Sequence, residues 1–493
     1  MRFRPAVPAV LTRVPLAGRY PAAVALALLA LCPYLVLTTA IPLLRPLLVK
    51  DLAASQFDVQ LTSGLANAAY AFGAVAAADL IQRLPRRRVY LVCEGGFVIS
   101  SLLAVVATGI PLFATGMFFQ GLFTGMLLVA ALPPLITTHG VERLPSTAAV
   151  ISLGLFGMVT LGPVIGGVVG GLGGWRALFG GIAALAAIGL TIGALSFEPN
   201  EPPAQGSAFD WLAMPLALGT TMLPFFGVSW LTRSYFLHPL FVGPVIVGLL
   251  LGVFLIVSQY RKSEPLMPVR PISNTLPVTG TAGAMLVGAS FTTLLELTET
   301  YLAAVPRYQP LLIGALFAPQ LIGVLIAAAL FRRVLPTRFT PYLALSGLLS
   351  VAVAAGLLLL LSPTNVLFVV PPAALLLGYG AGAGVVPGLF LAGLSVLSTK
   401  IGPTFALVEL LRSEAAFLVG PILLHLTMTA GVVGGFHLAV AIMLLLTVVG
   451  GLFLIGVYRL GGARPTAPDL PAWVSGETTA YHSPALAARL RRS

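Results

Sequence analysis

Residues 154–176 read GLFGMVTLGPVIGGVVGGLGGWR. The stretch is too apolar for a surface helix and too rich in glycine for the interior of an ordinary soluble one. Gly162, Gly166, Gly170 and Gly174 recur every four residues, and Gly167 and Gly171 flank them. That spacing places them on one helical face. A face without side chains lets a second helix approach backbone to backbone, the small-xxx-small logic of membrane bundles. Pro163 has no N–H, so the carbonyl of Val159 loses its helical partner and a kink is expected. The stretch reads as a bent, closely packed helix inside a protein that crosses a membrane many times.

Composition supports this. Of the 493 residues, 58% are apolar and 9% are charged, against roughly 25% charged in soluble domains. A net charge of +12 would suggest a nucleic-acid partner in a soluble protein. Here the positive-inside rule accounts for it, and no nucleic acid is expected. Three lysines against 24 arginines, with abundant alanine and glycine, point to a GC-rich bacterial genome. Cys32 and Cys93 both fall in apolar spans and suggest neither a disulfide nor a metal site. No cofactor is implied.

Outward from 154–176, the chain divides into spans of about 20 apolar residues each. They fall at 21–43, 60–80, 89–110, 111–133, 147–170, 175–196, 211–230, 239–259, 277–303, 310–331, 339–361, 365–391, 403–428 and 434–457. Residues 1–20, with Arg2, Arg4, Arg13 and Arg19, form a basic arm. Residues 458–493 are proline-rich and read as a disordered tail. If the chain starts inside and alternates, 21 of the 27 lysines and arginines lie in inside segments and five outside. Arg412 alone remains deep in a span. This asymmetry places both termini in the cytoplasm. The polar loop 197–210 separates six spans from eight.

The pattern of Gly157, Gly162, Pro163, Gly166 and Gly167, followed by Trp175 and Arg176, resembles the fifth-helix antiporter motif of the major facilitator superfamily. The chain resembles that superfamily's fourteen-helix drug:proton antiporter branch over residues 20–457. Ala40-Ile41-Pro42 ends the first span as Ala-Leu-Pro does there, and Glu264-Pro265-Leu266 sits between two apolar spans as in the branch. The resemblance implies an all-α membrane fold with two six-helix bundles, 21–196 and 277–457. Two additional helices, 211–259, lie between them, and the substrate site is at midplane. It also implies a monomeric exporter of amphipathic drugs or natural products in the bacterial cytoplasmic membrane. Cargo is exchanged for protons by alternating access, with membrane lipid as the surrounding partner. Export of a lipid or siderophore, or a non-transporting sensor on the same fold, are the alternatives. An enzyme is not expected, because the histidines are scattered and no acid–histidine pair is close in sequence.

A carboxylate in lipid is costly unless paired, protonated or wet, so acids within spans are the first candidates for chemistry. Glu296 and Glu299 lie three apart on one face of span nine. Two neighbouring carboxylates can share a proton, which suits a site that loads on one side and unloads on the other. Span thirteen carries Glu409, Arg412 and Glu414; the first two can pair at i, i+3, and Glu414 points elsewhere. Glu94, near the start of span three, is expected to answer the arginines just before it. His425 and His437 are expected to hydrogen-bond at the outer interface. Tyr34, Asn67, Gln120, Gln320 and Tyr379 are polar candidates for the cavity wall. The segment DLIQRLPRRRVYL resembles the superfamily's cytoplasmic loop signature. Gln82 stands where its acid belongs and Pro85 where its glycine belongs, so Asp79 with Arg83, Arg86 and Arg87 is expected to latch the bundles. Two departures bear on coupling. Span four reads Met117-Phe118-Phe119-Gln120-Gly121 without the family's arginine, and Pro33 stands about where span one's acid is expected.

Overall fold

The computed structural model describes residues 15–197 and 209–490. Arg2, Arg4 and Arg13 of the basic arm and most of the 197–210 loop lie outside the described residues. The regular elements described are helices, with a lone bridge between Asn274 and Ala485. Fourteen long helices follow in order. The first eight are α1 (Tyr20–Asp51), α2 (Gln56–Arg83), α3 (Arg86–Val105), α4 (Ile110–Thr137), α5 (Leu144–Leu172), α6 (Trp175–Ser196), α7 (Ala213–Trp230) and α8 (Pro239–Arg261). The rest are α9 (Thr275–Ala304), α10 (Pro310–Val334), α11 (Thr340–Leu358), α12 (Val366–Gly393), α13 (Ile401–Thr429) and α14 (Val432–Leu460). Thirteen are long and apolar enough to cross a membrane. The fourteenth, α13, is equally long but carries Glu409, Arg412 and Glu414 in its middle.

Packing reveals a repeat that the sequence does not display. Helix α1 packs on α5 and α6, α2 on α4, and α3 on α4 and α6. Eight helices later the same pairs recur: α9 on α13 and α14, α10 on α12, and α11 on α12 and α14. Each set of six is one bundle. The bundles meet along two seams, α5 against α10 and α13 against α2, which are equivalent under the same shift. Helix α7 packs on α2 and α13, and α8 packs on α7. The apolar window of α8 is only 11% buried, against 56% for α7, so α8 faces lipid. Asp210 clasps this hairpin at its base, accepting from Lys262 Nζ (2.5 Å) and Gln259 Nε2 (2.9 Å).

The glycine-rich helix α5 has two bare faces rather than one. A Cβ on Gly162 would lie 1.9 Å from Thr39 Oγ1 and 2.7 Å from the Val36 carbonyl of α1, and one on Gly166 would meet the Ala40 carbonyl at 2.8 Å. A Cβ on Gly167 would instead lie 2.5 Å from the Pro310 carbonyl of α10, in the other bundle. The carbonyl freed by Pro163 is not orphaned, because Thr39 Oγ1 donates to Val159 O at 2.6 Å. Gly174 does not belong to either face. Helix α5 ends at Leu172, Gly173 takes a left-handed conformation (φ +69°), and Gly174 caps α6. Trp175 Nε1 then donates to Asp51 Oδ2 (2.9 Å) at the end of α1.

Two expectations are corrected. The first span does not end near Pro42. Helix α1 runs on through Pro42 and Pro46 to Asp51, because Leu43, Leu44 and Leu48 continue its buried face. The segment after α14 is not structureless. A short helix, Leu470–Val474, buries Trp473, whose Nε1 donates to Val396 O at 2.8 Å. The Tyr481 ring is also buried, and burial pushes its phenol up to about 12. Leu470, Trp473 and Tyr481 give the proline-rich tail enough apolar surface to dock across the loop ends that share its face. That face, with the start of α1 and the end of α14, is called the termini face below.

Candidate functional site

Between the bundles lie two chambers that share Tyr34, Thr38, Thr292 and Phe417 as walls. The deeper one, about 50 Å³, is mainly apolar and aromatic, with Phe156, Phe291, Phe390 and Phe405 among its walls. Its charged group is the α13 pair. Arg412 Nε donates to Glu409 Oε2 at 2.9 Å, Arg412 Nη2 contacts Glu409 Oε1, and Ser413 Oγ donates to the same oxygen at 3.3 Å. Tyr70 of α2 lines the same chamber as this pair. The Tyr70 ring stacks on Tyr34 at 5.7 Å, and Tyr34 OH donates to Asn67 Oδ1 at 2.9 Å. A polar chain therefore crosses from Asn67 in one bundle to Arg412 in the other.

The shallower chamber, about 80 Å³, lies toward the face opposite the termini and is built from the later halves of α1 and α9 and the first half of α2. Arg45 Nη2 on α1 donates to Gln60 Oε1 (3.0 Å) and Glu296 Oε1 (3.3 Å), a second charged tie between bundles. Glu299, 3% exposed, also lines this chamber, and neither of its carboxylate oxygens has a hydrogen-bond partner. An unpaired buried polar group costs free energy that a proton, a ligand or water can relieve. Ligand pockets for drug-sized molecules span about 300–1,000 Å³. The chambers at 80 and 50 Å³ admit waters but not such a molecule, so the bundles stand in a closed arrangement.

Not every residue singled out in the sequence reaches this cavity. Glu296, Glu299, Glu409, Arg412, Tyr34 and Asn67 do. Gln120 is fully buried within the first bundle, donating to Ser101 Oγ of α3 at 2.7 Å. Tyr379 pairs with Ser346 Oγ of α11 at 2.8 Å, and Gln320 is buried where α10 crosses α12. Gln120 and Tyr379 thus join helices within a bundle, whereas the Gln320 amide is buried there without a hydrogen-bond partner. Glu414 is buried on the other face of α13, one turn before Leu418, which packs on Ala68 of α2 and Phe225 of α7. Glu94 does not answer the loop arginines. Its carboxylate is buried without a partner against Gly189 of α6. Asp79 pairs with Arg83 at 2.7 Å, while Arg87 turns to the Ala194 carbonyl of α6 in its own bundle and Gln82 bonds the Ala78 carbonyl of its own helix. His437 Nε2 contacts the Leu361 carbonyl at 3.0 Å. Cys32 and Cys93 are free thiols.

Sequence reasoning missed Arg45, Gln60 and Tyr70. A first span ending at residue 43 places Arg45 beyond it, yet Leu43, Leu44, Leu47 and Leu48 keep helical spacing through it. On α2, Gln60, Asn67 and Tyr70 lie at intervals of seven and three on one face.

Two pseudo-equivalent six-helix halves around a central cavity that holds buried charged groups define a polytopic membrane protein of the transporter type. The chain belongs to the Major Facilitator Superfamily, whose profile matches residues 26–421. It is 26% identical to the multidrug resistance protein B homolog of Mycobacterium tuberculosis strain H37Rv, over 62% of this chain and 57% of that protein. It is 27% identical to the tetracenomycin C resistance and export protein of Streptomyces glaucescens, over 62% and 56%. The multidrug efflux pump LfrA of Mycolicibacterium smegmatis is 27% identical over 68% of this chain and 67% of its own. The chain thus spans little more than half the length of most of these curated relatives. Among solved structures, the human organic anion transporter MFSD10 superposes with a TM-score of 0.61 at 17% identity, covering 89% of this chain and all of that one. That likeness concerns the fold.

Proposed function

We propose that this protein is a secondary transporter exporting amphipathic organic compounds, drugs or natural products, in exchange for protons. The observation that carries the reading is Glu299, buried and unpartnered one turn from Glu296, which is itself tied to Arg45 of the opposite bundle. A proton arriving at Glu296 and Glu299 weakens the tie to Arg45 and frees the two bundles to part. Releasing that proton on the other side restores the tie. The aromatic deeper chamber supports apolar cargo, and the names of the relatives support export. Surplus basic charge on the termini face supports its placement in the cytoplasm and the whole in a bacterial inner membrane. A monomer surrounded by lipid is the simplest assembly.

The test is proton flux in proteoliposomes. A pH-sensitive dye is trapped inside, gradients of lipophilic cations and neutral drugs are imposed, and wild type is compared with Glu299→Gln and Arg45→Gln. Substrate-driven proton movement is expected in wild type and its loss in Glu299→Gln, with substrate binding retained. Substrate flux without proton movement in wild type would instead indicate facilitated transport, consistent with the absent span-one acid and span-four arginine.

A further inference from the structure

A third cavity lies outside the site described above. It is a crevice of about 220 Å³ between α9, α11 and α14, near the termini face. It is larger than either central chamber. Its floor is bare: a Cβ built on Gly283 meets nothing closer than Leu454 Cδ1 at 4.0 Å. Leu348 and Leu454 are among its apolar walls, and Tyr342, Tyr458 and Arg459 form its polar end. Among the described residues, no aspartate or glutamate lines it. Arg459 is exposed, and no ion pair or hydrogen bond engages its guanidinium among the described residues.

The crevice does not lead to the central cavity. Behind it, α9 closes on α12, where a Cβ on Gly280 would meet Leu391 Cβ at 2.9 Å and the Gly388 carbonyl at 3.1 Å. The cavity-lining residues of α9, Thr292 to Glu299, lie more than two turns further along the helix. The crevice is therefore open toward the lipid and shut toward the cargo path. An apolar slot at acyl-chain depth, ending in two tyrosines and a free arginine at the level where the helices leave the bilayer, matches an anionic phospholipid. The aromatic hydroxyls suit the interfacial layer and the guanidinium suits a phosphate. Basic pockets between membrane helices on the cytoplasmic side are known to hold such head groups.

We propose that this crevice is a binding site for one anionic glycerophospholipid, an acyl chain lying over Gly283 and the phosphate on Arg459. Assigning it to the inner leaflet rests on the cytoplasmic placement of the termini face. The binding itself does not, because a lipid would be retained in either leaflet.

The test is native mass spectrometry of the full chain, extracted from nanodiscs containing equal phosphatidylglycerol and phosphatidylethanolamine. Wild type is expected to retain one phosphatidylglycerol in preference to phosphatidylethanolamine. Arg459→Gln is expected to lower that preference about fivefold, the worth of one interfacial cation. Gly283→Leu fills open space and leaves the helices in place. It is expected to remove the retained lipid whatever its head group, while Arg333→Gln, outside the crevice, leaves retention unchanged. Equal retention of the two lipids by wild type would overturn the proposal. So would a retained phosphatidylglycerol that survives in a monodisperse Gly283→Leu protein.

Discussion

The two seams between the bundles occupy equivalent positions yet are built from opposite materials. Both α5 and α13 carry a Gly-Pro pair, Gly162-Pro163 and Gly420-Pro421, and both glycines face the first helix of their own bundle. Beyond the proline the two diverge. In α5 the next residues include Gly166, Gly167, Gly170 and Gly171, and α10 approaches until a Cβ on Gly314 would lie 2.5 Å from the Pro163 carbonyl. In α13 the next residues are Ile422, Leu423, Leu424 and His425. Around the proline, Leu418 of α13 packs with Ala68 of α2 and with Phe225 and Val228 of α7, and Ile422 lies against the same cluster. Before the proline, α13 carries Glu409 and Arg412, whereas α5 carries no charge between Leu144 and Leu172. One seam is dry and held by backbone proximity. The other is polar, joined by Tyr70 and the Glu409–Arg412 pair. A dry seam can serve as a fixed pivot, since it has no charges to solvate when the bundles move. On the proposed reading, the polar seam and the Arg45–Glu296 tie are where protonation shifts the balance.

The sharpest way to break this comparison is to add bulk at the pivot. Gly314→Val would drive side-chain atoms into the Pro163 carbonyl and the Gly167 Cα, neither of which can rotate away. The expected result is loss of nearly all transport and destabilisation of about 1–3 kcal/mol or more, read by proteoliposome flux and thermal unfolding in detergent. Gly171→Ala, whose Cβ would sit 3.5 Å from Leu311 Cβ, is the tolerated neighbour. If Gly314→Val transported normally, the seam would not be a pivot.

At the polar seam, Arg412→Leu strands Glu409, which is 2% exposed. Breaking such a pair costs about 3–5 kcal/mol, whereas removing both partners costs much less. The double variant Glu409→Gln/Arg412→Gln should therefore unfold at a higher temperature than Arg412→Leu. A double variant no better than the single one would mean that the pair is not the unit acting there.

The smallest effect is expected at the α7–α8 hairpin, which belongs to neither bundle. Burial opposes ionisation of Asp210, but hydrogen bonds from Lys262, Gln259 and the Ala213 N–H outweigh it and hold its carboxyl below the ordinary value of 3.8. A lowered acid stabilises the fold above the unfolded-state value and loses that contribution as pH falls through the folded value. Asp210→Asn should thus cost under about 1 kcal/mol at pH 7, as expected for a partly exposed pair. The difference from wild type should vanish in acid below pH 3.8. Unfolding temperatures of the two proteins across pH check this, and a gap that widens toward acid would contradict the assignment.

The sequence by itself determined the class, the approximate positions of the spans and four of the charged residues that line the cavity. Hydrophobic runs of membrane length have few alternatives to helices, because every backbone polar group must be satisfied internally. For the same reason an acid or arginine within such a run stands out, and Glu296, Glu299, Glu409 and Arg412 were legible as candidates from one strand of letters. The glycine spacing of α5 foretold close packing, and Pro163 foretold a free carbonyl at Val159. Tertiary structure alone decided which partner each bare face meets, that Thr39 takes up that carbonyl, and that Arg45 belongs to the cavity rather than to a loop. It also sent Gln120, Gln320 and Tyr379 to positions inside a bundle and left Glu94 and Glu414 buried on other faces. Helix rotation is the reason. Within a span that is apolar all round, periodicity does not reveal which side faces a cavity, a neighbour or lipid. Only the packing of the fourteen helices sets that angle.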